Sequence, residues 1–421
     1  MKRIIIRNFG PFADLDFIIN KKFNIFIGEQ AAGKSTLAKL VYFFRDISDF
    51  FPMISFGAYI RSDFNMNNIK TLFIKNLEKN FLSCFSQSIM ETHTYLECIY
   101  DEEKYVQISF DKNNKVKIVF SNNILIELEK IILQWNNILS NVHDTEKVFQ
   151  VLESYESNIK KIFNDDKEAL YIPAARSFLS TFTDNLYDNL RNESLDYTLR
   201  RFISAVNAFK GIKRANDPLI KFKNYIKDKT DENLLTNILI GQYLLEKNKE
   251  YIIINNRKIP LMFASSGQQE SLWILNFLIL SIVAHKKFFF VIEEPEAHLF
   301  TNSQFDIIKF IAMNVNLTDS EVFITTHSPY ILNAVNLLMY SGKVEKESIN
   351  ANSIIDILYR IDPNEVGAFY IKEGKLINII DPDEMLIQSE KIDEASSGIN
   401  LLFDKLISLE LNKQNGENNV L

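Results

Sequence analysis

The sequence has 421 residues, of which 47% are hydrophobic and 24% charged, so it can bury a large core in two or three globular units. Its net charge of −7 argues against a protein coated in nucleic acid, although a local basic groove stays open. With only Cys84 and Cys98, no charged-then-apolar leader and no apolar run of about 18 residues, we expect a reduced, cytoplasmic protein with no membrane partner.

Periodicity predicts the following elements in chain order. Strands are expected at residues 2–8 and 14–19, separated by Gly10 and Pro11, and again at 23–27 before a helix at 37–44. The pattern loosens from 46 to about 90, and an antiparallel meander follows at 94–100, 104–110 and 115–120. Helical patterns then cover 124–163 and 190–249, with strands at 168–173 and 251–255.

A phosphate-binding loop is indicated by the pattern G-x-x-x-x-G-K-[ST] between the strand at 23–27 and the helix at 37–44. Its glycines let backbone N–H groups face the phosphates, Lys34 can reach the β- and γ-oxygens, and Ser35 can ligate Mg²⁺. A glycine turn opening an ordinary helix is the alternative. The predicted nucleotide-binding residues are Gly28, Glu29, Gln30, Ala31, Ala32, Gly33, Lys34, Ser35 and Thr36.

Two later strands end in polar residues that complement this loop. An apolar run at 288–292 ends in Glu293 and Glu294, the form of a Walker B strand in a parallel sheet. Glu293 is expected to hold Mg²⁺ through water, and Glu294 to polarise the attacking water. A strand at 321–325 places His327 where open α/β sheets bind ligands, although a lone histidine is more often structural. We therefore predict an ATP- and Mg²⁺-dependent ATPase with Lys34, Glu294 and His327 as catalytic residues.

A run of small and polar residues opens the long apolar helix that precedes the Walker B strand. Hydroxyl groups at a helix N-terminus can form an anion site. A serine N-cap with a capping box closed by Gln269 or Glu270 is the structural alternative, and both can hold at once. The residues concerned are Ser265, Ser266, Gly267, Gln268 and Gln269.

In chain order, the P-loop, Ser265–Gln269, Ile292–Leu299 and Thr325–Pro329 resemble the motifs of the ABC-type ATPases of the SMC, RecF and OLD (overcoming lysogenization defect) group within the AAA family. The opening Ile6-Arg-Asn-Phe9 with Phe12 is similar to that group's first strand, and Ile172-Pro-Ala-Ala-Arg176 resembles a segment common in its bacterial defence branch. The resemblance implies an α/β ABC-type ATPase head, with a mixed sheet, an antiparallel extension and helical insertions. Ser-Ser-Gly-Gln-Gln and Glu293 depart from the usual signature and Walker B aspartate, but both occur in the OLD-like branch.

The resemblance also implies roles and partners. The signature Ser265–Gln269 would close on ATP held by another subunit, giving a homodimer or higher homo-oligomer, and His327 would be the switch histidine. The D-loop would be Glu296, Ala297, His298 and Leu299. The nearest functional resemblance is to ATPase subunits that act as sensors in bacterial anti-phage defence systems beside a separate, nuclease-type effector protein. A RecF/SMC-like DNA-repair ATPase is the alternative, and a transporter subunit is a weaker third.

The predicted organisation has four parts. Residues 1–122 and 251–345 form the two halves of the head, and 123–250 form a mainly helical insertion lobe interrupted by the strand near 168–173. Residues 346–421 supply a hairpin at 367–380 and an amphipathic helix at 387–411, packed on the head. Glu373-Gly374 and Asp381-Pro-Asp383 resemble the glutamate and the Asp-x-Asp pair that hold metals in the Toprim nuclease of OLD proteins. Because they fall on one hairpin with little chain after them, we predict a hairpin turn and no Toprim nuclease domain.

A basic run in the second helical block separates the two main functional hypotheses. If these basic residues lay on one face, they would contact DNA, and the affinity for DNA would fall steeply as the salt concentration rises. Interleaved acidic residues favour an ordinary solvated helix face instead, with Phe222 and Tyr225 on the buried side. DNA is therefore a candidate partner but not the favoured one. The basic residues are Arg200, Arg201, Lys210, Lys213, Arg214, Lys221, Lys223, Lys227 and Lys229.

Overall fold

A computed structural model describes residues 2–60, 66–85, 89–111, 115–139, 145–181, 195–227, 234–247, 249–344 and 354–388. The predicted C-terminal helix beyond residue 388, and Lys229 of the basic run, lie outside these residues. Both cysteines are buried and free.

The strands have two kinds of sequence: in some, apolar and polar residues alternate, and in others nearly every residue is apolar. In chain order they are β1 (Lys2–Phe9), β2 (Phe12–Ile19), β3 (Phe23–Gly28), β4 (Met90–Asp101), β5 (Lys104–Phe110), β6 (Val116–Phe120), β7 (Glu168–Ile172), β8 (Gln242–Glu246), β9 (Lys249–Ile254), β10 (Arg257–Pro260), β11 (Phe288–Glu293), β12 (Glu321–Thr326), β13 (Val366–Lys372) and β14 (Lys375–Asn378). In β3 and β11 every residue is buried, as expected of strands covered on both faces.

The helices connect these strands and cover the central sheet. In chain order they are α1 (Lys34–Ile60), α2 (Met66–Cys84), α3 (Asn122–Leu139), α4 (Thr145–Ile162), α5 (Tyr197–Ala215), α6 (Pro218–Ile226), α7 (Leu234–Leu239), α8 (Ser266–Ala284), α9 (Thr301–Thr318) and α10 (Pro329–Val344). None of these helices is both long enough and apolar enough to cross a membrane.

A six-stranded sheet lies at the centre, in the order β14-β13-β3-β12-β11-β7. All neighbours pair in parallel except β13 and β14, which form an antiparallel hairpin at one edge. The strand predicted near 168–173 and the hairpin predicted at 367–380 are thus strands of the central sheet itself. The carboxyl ends of β3, β12 and β11 meet at one edge, which we call the site edge.

Two further sheets are antiparallel. The predicted meander joins the N-terminal hairpin in the order β2-β1-β4-β5-β6, and β8, β9 and β10 form a small separate sheet. The predicted α/β fold, with a mixed central sheet, an antiparallel extension and helical insertions, is confirmed. The prediction of helix up to residue 249 is wrong at its end, because β8 occupies Gln242–Glu246 and pairs with β9.

Successive side chains of β3 point to opposite faces of the central sheet, and both faces are covered. Phe26 stacks on Phe323 and Phe369 of the neighbouring strands, with ring centroids 4.3 and 5.2 Å apart, and joins the core beneath α1. Ile25 and Ile324 point to the opposite face and join the core beneath α8 and α9. Each face of the sheet is therefore buried by its own set of helices.

The loose pattern from 46 to 90 conceals two helices. Helix α1 continues to Ile60 through Pro52, and α2 follows. Phe43, Phe44, Ile47 and Phe51 are all buried, so α1 is covered on several sides. A helix that is apolar all round has no amphipathic period to read from the sequence.

Candidate nucleotide-binding site

The glycine-rich loop lies at the site edge between β3 and α1. Gly33 has a backbone φ of +100°, and a Cβ there would lie 2.5 Å from Cγ of Pro11. A Cβ on Gly28 would lie 2.7 Å from the carbonyl oxygen of Ile371. The turn between β1 and β2 and the strand β13 therefore pack directly against the loop, and only glycine fits at either position.

The remaining loop residues lie where the pattern predicts. The Ala32 N–H donates to the Glu29 carbonyl at 3.3 Å, and Ala31 has a φ of +62°, so the chain turns tightly before the helix. Glu29, Gln30 and Ala31 are exposed. Ser35 is exposed and Thr36 is half-buried, both in the first turn of α1, where free N–H groups favour an anion.

Lys34 is buried between this loop and the acidic ends of the neighbouring strands. Its Nζ donates to the carbonyl oxygens of Gly28 at 2.8 Å and Glu29 at 2.7 Å. Burial lowers the pKa of Lys34, and the negative charges of Glu294, Glu296 and Glu293 oppose that shift. The lysine and the acidic residues therefore act on one another across the site edge.

The two glutamates at the end of β11 differ in environment. Glu293 is buried; its Oε2 accepts from the Ala174 N–H at 3.3 Å, while its Oε1 has no hydrogen-bond partner. Glu294 has a φ of +43°, and its N–H donates to the Thr325 carbonyl at 2.8 Å. A left-handed glutamate costs on the order of 1–3 kcal/mol, so the surrounding hydrogen bonds must hold it.

His327 faces Glu294 from the end of β12. The distance from His327 Nε2 to Glu294 Oε1 is 3.5 Å, and both side chains are about two-fifths exposed, at 40% and 37%. Burial lowers the pKa of His327, the charge of Lys34 lowers it further, and Glu294 opposes both. The predicted catalytic residues Lys34, Glu294 and His327 are thus brought together.

Glu296 organises the segment that follows. Its Oε1 accepts from Thr326 Oγ1 at 2.6 Å and from the His327 N–H at 2.9 Å. Burial raises the pKa of Glu296, and the hydrogen bond from Thr326 opposes that shift. The side chain of this predicted D-loop residue therefore fixes the backbone of His327 within the same chain.

The signature loop contacts the predicted D-loop directly. A Cβ on Gly267 would lie 2.7 Å from the carbonyl oxygen of His298 and 3.3 Å from Cδ2 of Leu299. Turns at Ala297 and Leu299, whose N–H groups donate to Glu294 and Glu296, bring this carbonyl into place. The two segments therefore pack directly against one another.

The N-terminus of α8 has the predicted capping box, but a different residue closes it. Ser265 Oγ accepts from the Gln268 N–H, and Gln268 Oε1 accepts from the Ser265 N–H at 3.0 Å, so the partner is Gln268 and not Gln269 or Glu270. Gln269 instead donates to the carbonyls of Leu261 and Ala264. Both glutamine side chains are therefore engaged inside the chain, and Ser266 is exposed.

Arg176 is a residue whose position the sequence did not reveal. It is fully buried, and its guanidinium donates to the carbonyl oxygens of Pro173, Glu270, Glu293 and Glu294. Burial lowers the pKa of Arg176, and the Glu270 carboxylate, 3.4 Å away, opposes this. The only sequence signal for this role is an arginine four residues after an apolar strand.

The basic run does not form one exposed face. Lys210 and Lys213 are buried and pair with Glu250 and Asp217, each at 2.7 Å. Arg201 pairs with Asp46 at 2.7 Å. Arg214, Lys221, Lys223 and Lys227 are exposed. Phe222 is fully buried, as predicted.

The acidic residues of the C-terminal hairpin have turn roles. Glu373 and Gly374 form the β13–β14 turn with φ of +50° and +71°. Asp381 Oδ1 accepts from the N–H groups of Asp383 and Glu384, each at 2.9 Å. In the described part of the chain, no group of three or more His, Cys, Asp or Glu side chains is arranged to hold a metal ion.

A glycine-rich loop, a buried lysine and paired acids at the edge of a parallel sheet define a P-loop ATPase site. Residues 1–332 match the family model described as AAA ATPase domain. The chain belongs to this family. A search of curated proteins gave no match.

Solved structures similar to the chain include three SMC heads. An SmcHead bound to the C-winged helix domain of ScpA shares 9% identity over 91% of this chain and 98% of its own, with a TM-score of 0.45. The Pyrococcus furiosus Smc head with an extended coiled coil, bound to the C-terminal domain of ScpA, shares 10% sequence identity. The match covers 95% of this chain and 100% of that chain, with a TM-score of 0.40. The Thermotoga maritima SMC head domain shares 10% sequence identity over 90% of this chain and 97% of its own, with a TM-score of 0.37.

Proposed function

We propose that this protein binds and hydrolyses ATP as the sensor or regulatory subunit of a bacterial anti-phage defence system, with a separate effector protein. The observation that supports hydrolysis is the grouping of Lys34, Glu294 and His327, with His327 Nε2 3.5 Å from Glu294 Oε1. A cation, a carboxylate and an imidazole at one sheet edge can bind phosphate, accept a proton and contact the transferred group.

The residues present fit a nucleotide with Mg²⁺. Glu293 has a buried carboxylate oxygen without a partner, which would accept from a metal-bound water, and the Ser35 hydroxyl would be a direct ligand. Mg²⁺ supplies charge neutralisation on the phosphates when bound. Lys34 would exchange its bonds to the Gly28 and Glu29 carbonyls for phosphate oxygens. Glu294 would orient and deprotonate the attacking water.

We further propose that two copies pair head to tail, so that Ser266 and Gly267 of one copy close on ATP held by the other. The exposure of Ser266 at the N-terminus of α8 supports this, because its hydroxyl and the helix N–H groups are available to an anion. The contact between Gly267 and the His298 carbonyl would report closure to Glu294 through the D-loop. ATP would select the paired state, and hydrolysis would release it.

The defence role rests on the resemblance of the motifs to sensor ATPases, and the effector would be a protein of nuclease type. The alternative, a RecF/SMC-like ATPase that clamps DNA, needs an exposed basic face. Lys210 and Lys213 are buried and ion-paired, which reduces the charge available for such a face. The exposed Arg214, Lys221 and Lys227 keep DNA binding as an outcome to be measured.

The deciding experiment measures hydrolysis and mass of wild type and Glu294→Gln with ATP and Mg²⁺, with and without duplex DNA at two salt concentrations. Losing the base should slow hydrolysis by roughly 10²- to 10⁴-fold and trap the pair. Glu102→Gln, an exposed glutamate in the turn between β4 and β5, is the matched control and should behave as wild type. Equal hydrolysis by wild type and Glu294→Gln would refute the assignment of the base.

The outcome with DNA separates the two functions. Pairing that ignores DNA supports the sensor, whereas pairing that requires DNA, or DNA binding with a steep salt slope, supports the clamp. The defence role itself is tested by phage plating on cells that carry this gene with its neighbouring gene, comparing wild type with Glu294→Gln. Equal plating on both, and on cells without the genes, would contradict it.

A further inference from the structure

A cavity of about 380 Å³ lies away from the site edge, between α6, α7, β8 and the helix α8 that begins at the signature. Apolar side chains form slightly more than half of its wall, among them Leu219, Ile226, Leu239, Leu275 and Ile279. Cavities of roughly 300–1,000 Å³ with mainly apolar walls and a few polar groups are typical small-molecule sites. The size and lining therefore suit a compact organic ligand.

One buried polar group in the wall lacks a partner. Asn276, on α8, is 2% exposed and lines the cavity, and its amide Nδ2 has no hydrogen-bond partner. Buried donors are nearly always paired, because an unmade hydrogen bond leaves the loss of solvation uncompensated. Because Nδ2 itself is enclosed in the wall, the Asn276 side chain would have to rotate to donate to a hydrogen-bond acceptor on a ligand in the cavity.

The lining also carries charge. Asp217 is already engaged, since its carboxylate accepts from Lys213 Nζ at 2.7 Å and from the Leu219 N–H at 2.9 Å. Lys223 is exposed and lines the cavity as well. Among the described residues, no carboxylate lies within ion-pairing distance of Lys223. The free charge at the cavity is therefore positive and favours an anionic group.

The cavity wall is linked to the signature by hydrogen bonds. The Leu239 carbonyl, at the end of α7, accepts from Gln268 Nε2 at 2.8 Å, and Gln268 Oε1 accepts from the Ser265 N–H at 3.0 Å. Leu275, Asn276 and Ile279 lie on the same helix as Gln268. A ligand that presses on Leu239 and Asn276 therefore acts on the residues that fix the start of α8.

We propose that this cavity binds a small amphipathic anion, whose apolar body fills the space beside Leu239 while its oxygen atoms contact Asn276 and face Lys223. Occupancy then fixes the position of the signature loop and changes ATP-dependent pairing. The effect on ATP-dependent pairing rests on the proposed function, whereas the binding of the anion does not. A ligand site so placed lets a metabolite or acyl carboxylate regulate the ATPase.

Decanoate and 1-decanol are the probes, with binding to the intact protein measured by calorimetry in the absence of ATP. Decanoate should bind at least about fivefold more tightly than 1-decanol, a preference that Lys223→Gln removes and the exposed neighbour Lys221→Gln keeps. Asn276→Leu should weaken decanoate about tenfold, while its unliganded form unfolds at the same or a higher temperature because a buried unpaired amide is gone. That thermal measurement separates loss of the site from loss of the fold.

Failure to bind either probe at millimolar concentration overturns the site, and equal affinity for decanoate and 1-decanol overturns the anion preference. For the coupling, saturating decanoate should change the dissociation constant of the ATP-bound Glu294→Gln pair by about fivefold or more, and not in Asn276→Leu. Binding without that change overturns the coupling. If Glu294→Gln does not pair with ATP at all, the proposed function fails while the calorimetry still decides the cavity.

Discussion

Arg176 donates a hydrogen bond from Nε to the backbone oxygen of Glu270 at 2.5 Å, and the two side chains form a buried ion pair at 3.4 Å. The same guanidinium donates to the carbonyls of Glu293 and Glu294 at 2.8 and 3.1 Å. Glu270 is the fifth residue of α8 and directly follows the predicted signature. One buried side chain therefore joins the signature helix to the strand end that carries the proposed base.

Arg176→Lys should separate these two elements, because one ammonium group cannot reach carbonyls on three segments. We expect the protein to lose about 3 kcal/mol of stability, since the substitution leaves buried acceptors unpaired. The turnover number should fall roughly 10²-fold through misplacement of Glu294, whereas ATP binding to the P-loop should change little. Nucleotide titration, turnover and thermal unfolding measure the three effects. Arg214→Lys, at an exposed arginine, is the control, and unaltered turnover in Arg176→Lys would contradict the positioning role.

The comparison of sequence and structure is clearest at this site. The glycine spacing around Lys34 and the acids after β11 were predictable, because each chemistry requires fixed residue types at fixed spacing. The roles of Arg176 and Gln268 were not, because each acts through contacts with chain segments far away in sequence. Likewise the beginning of α1 was predictable from its period, but its continuation past Phe44 was not, since burial on several sides removes the period.

His327 should give the ATPase an acid limb in its pH profile. Burial and the charge of Lys34 lower its pKa, so the imidazole is neutral at pH 7 and becomes charged only below the usual value near 6.5. An imidazolium 3.5 Å from Glu294 would pair with that carboxylate and make it a weaker base. Turnover should therefore fall at pH values on the acid side of the usual histidine pKa near 6.5.

The test compares pH profiles of turnover for wild type and His327→Gln between pH 5 and pH 8.5. The variant should be slower at pH 7.5 and should lack the acid limb that His327 causes. His285→Asn is the matched control, because His285 ends α8 in a left-handed conformation that asparagine also adopts. An acid limb that stays unchanged in His327→Gln would assign it to another group.

Two exposed aromatic residues should form an apolar rim in the proposed pair. Phe300 follows the D-loop directly and is 78% exposed, and Phe263 precedes the signature and is 72% exposed. Burying a phenylalanine contributes about 1.5–3 kcal/mol, so Phe300→Ser in the Glu294→Gln background should weaken ATP-dependent pairing about 10- to 100-fold. Sedimentation with ATP measures this. Ile354→Ser, at a residue 81% exposed and outside the site motifs, should pair normally, and equal pairing of all variants would place the interface elsewhere.

A buried charge cluster at the opposite end of the sheet should govern acid stability. Asp165 pairs with Lys2 of β1 and with Arg45 of α1, the latter at 2.9 Å, and all three side chains are nearly inaccessible. Arg45 also pairs with Glu321, the first residue of β12, at 2.7 Å. The cluster therefore ties the antiparallel sheet and α1 to the central sheet.

Asp165→Asn should destabilise the protein by about 3–5 kcal/mol at pH 7, because it leaves buried cations without their carboxylate. Burial alone would raise the pKa of Asp165, but Arg45 and Lys2 outweigh it and hold that pKa well below its usual value. Such a group contributes stability above the unfolded-state pKa near 4 and loses it as pH falls through the lower, folded-state value. Wild type should therefore lose stability from about pH 5 downward, and Asp165→Asn should show a smaller slope there.

Denaturant unfolding between pH 2.5 and pH 7 measures both. Asp14→Asn, at an exposed aspartate of β2, should stay within about 0.5 kcal/mol of wild type. If Asp165→Asn unfolds like wild type at pH 7, the ion pairs do not hold the two sheets together, and the apolar core beneath α1 must do so alone.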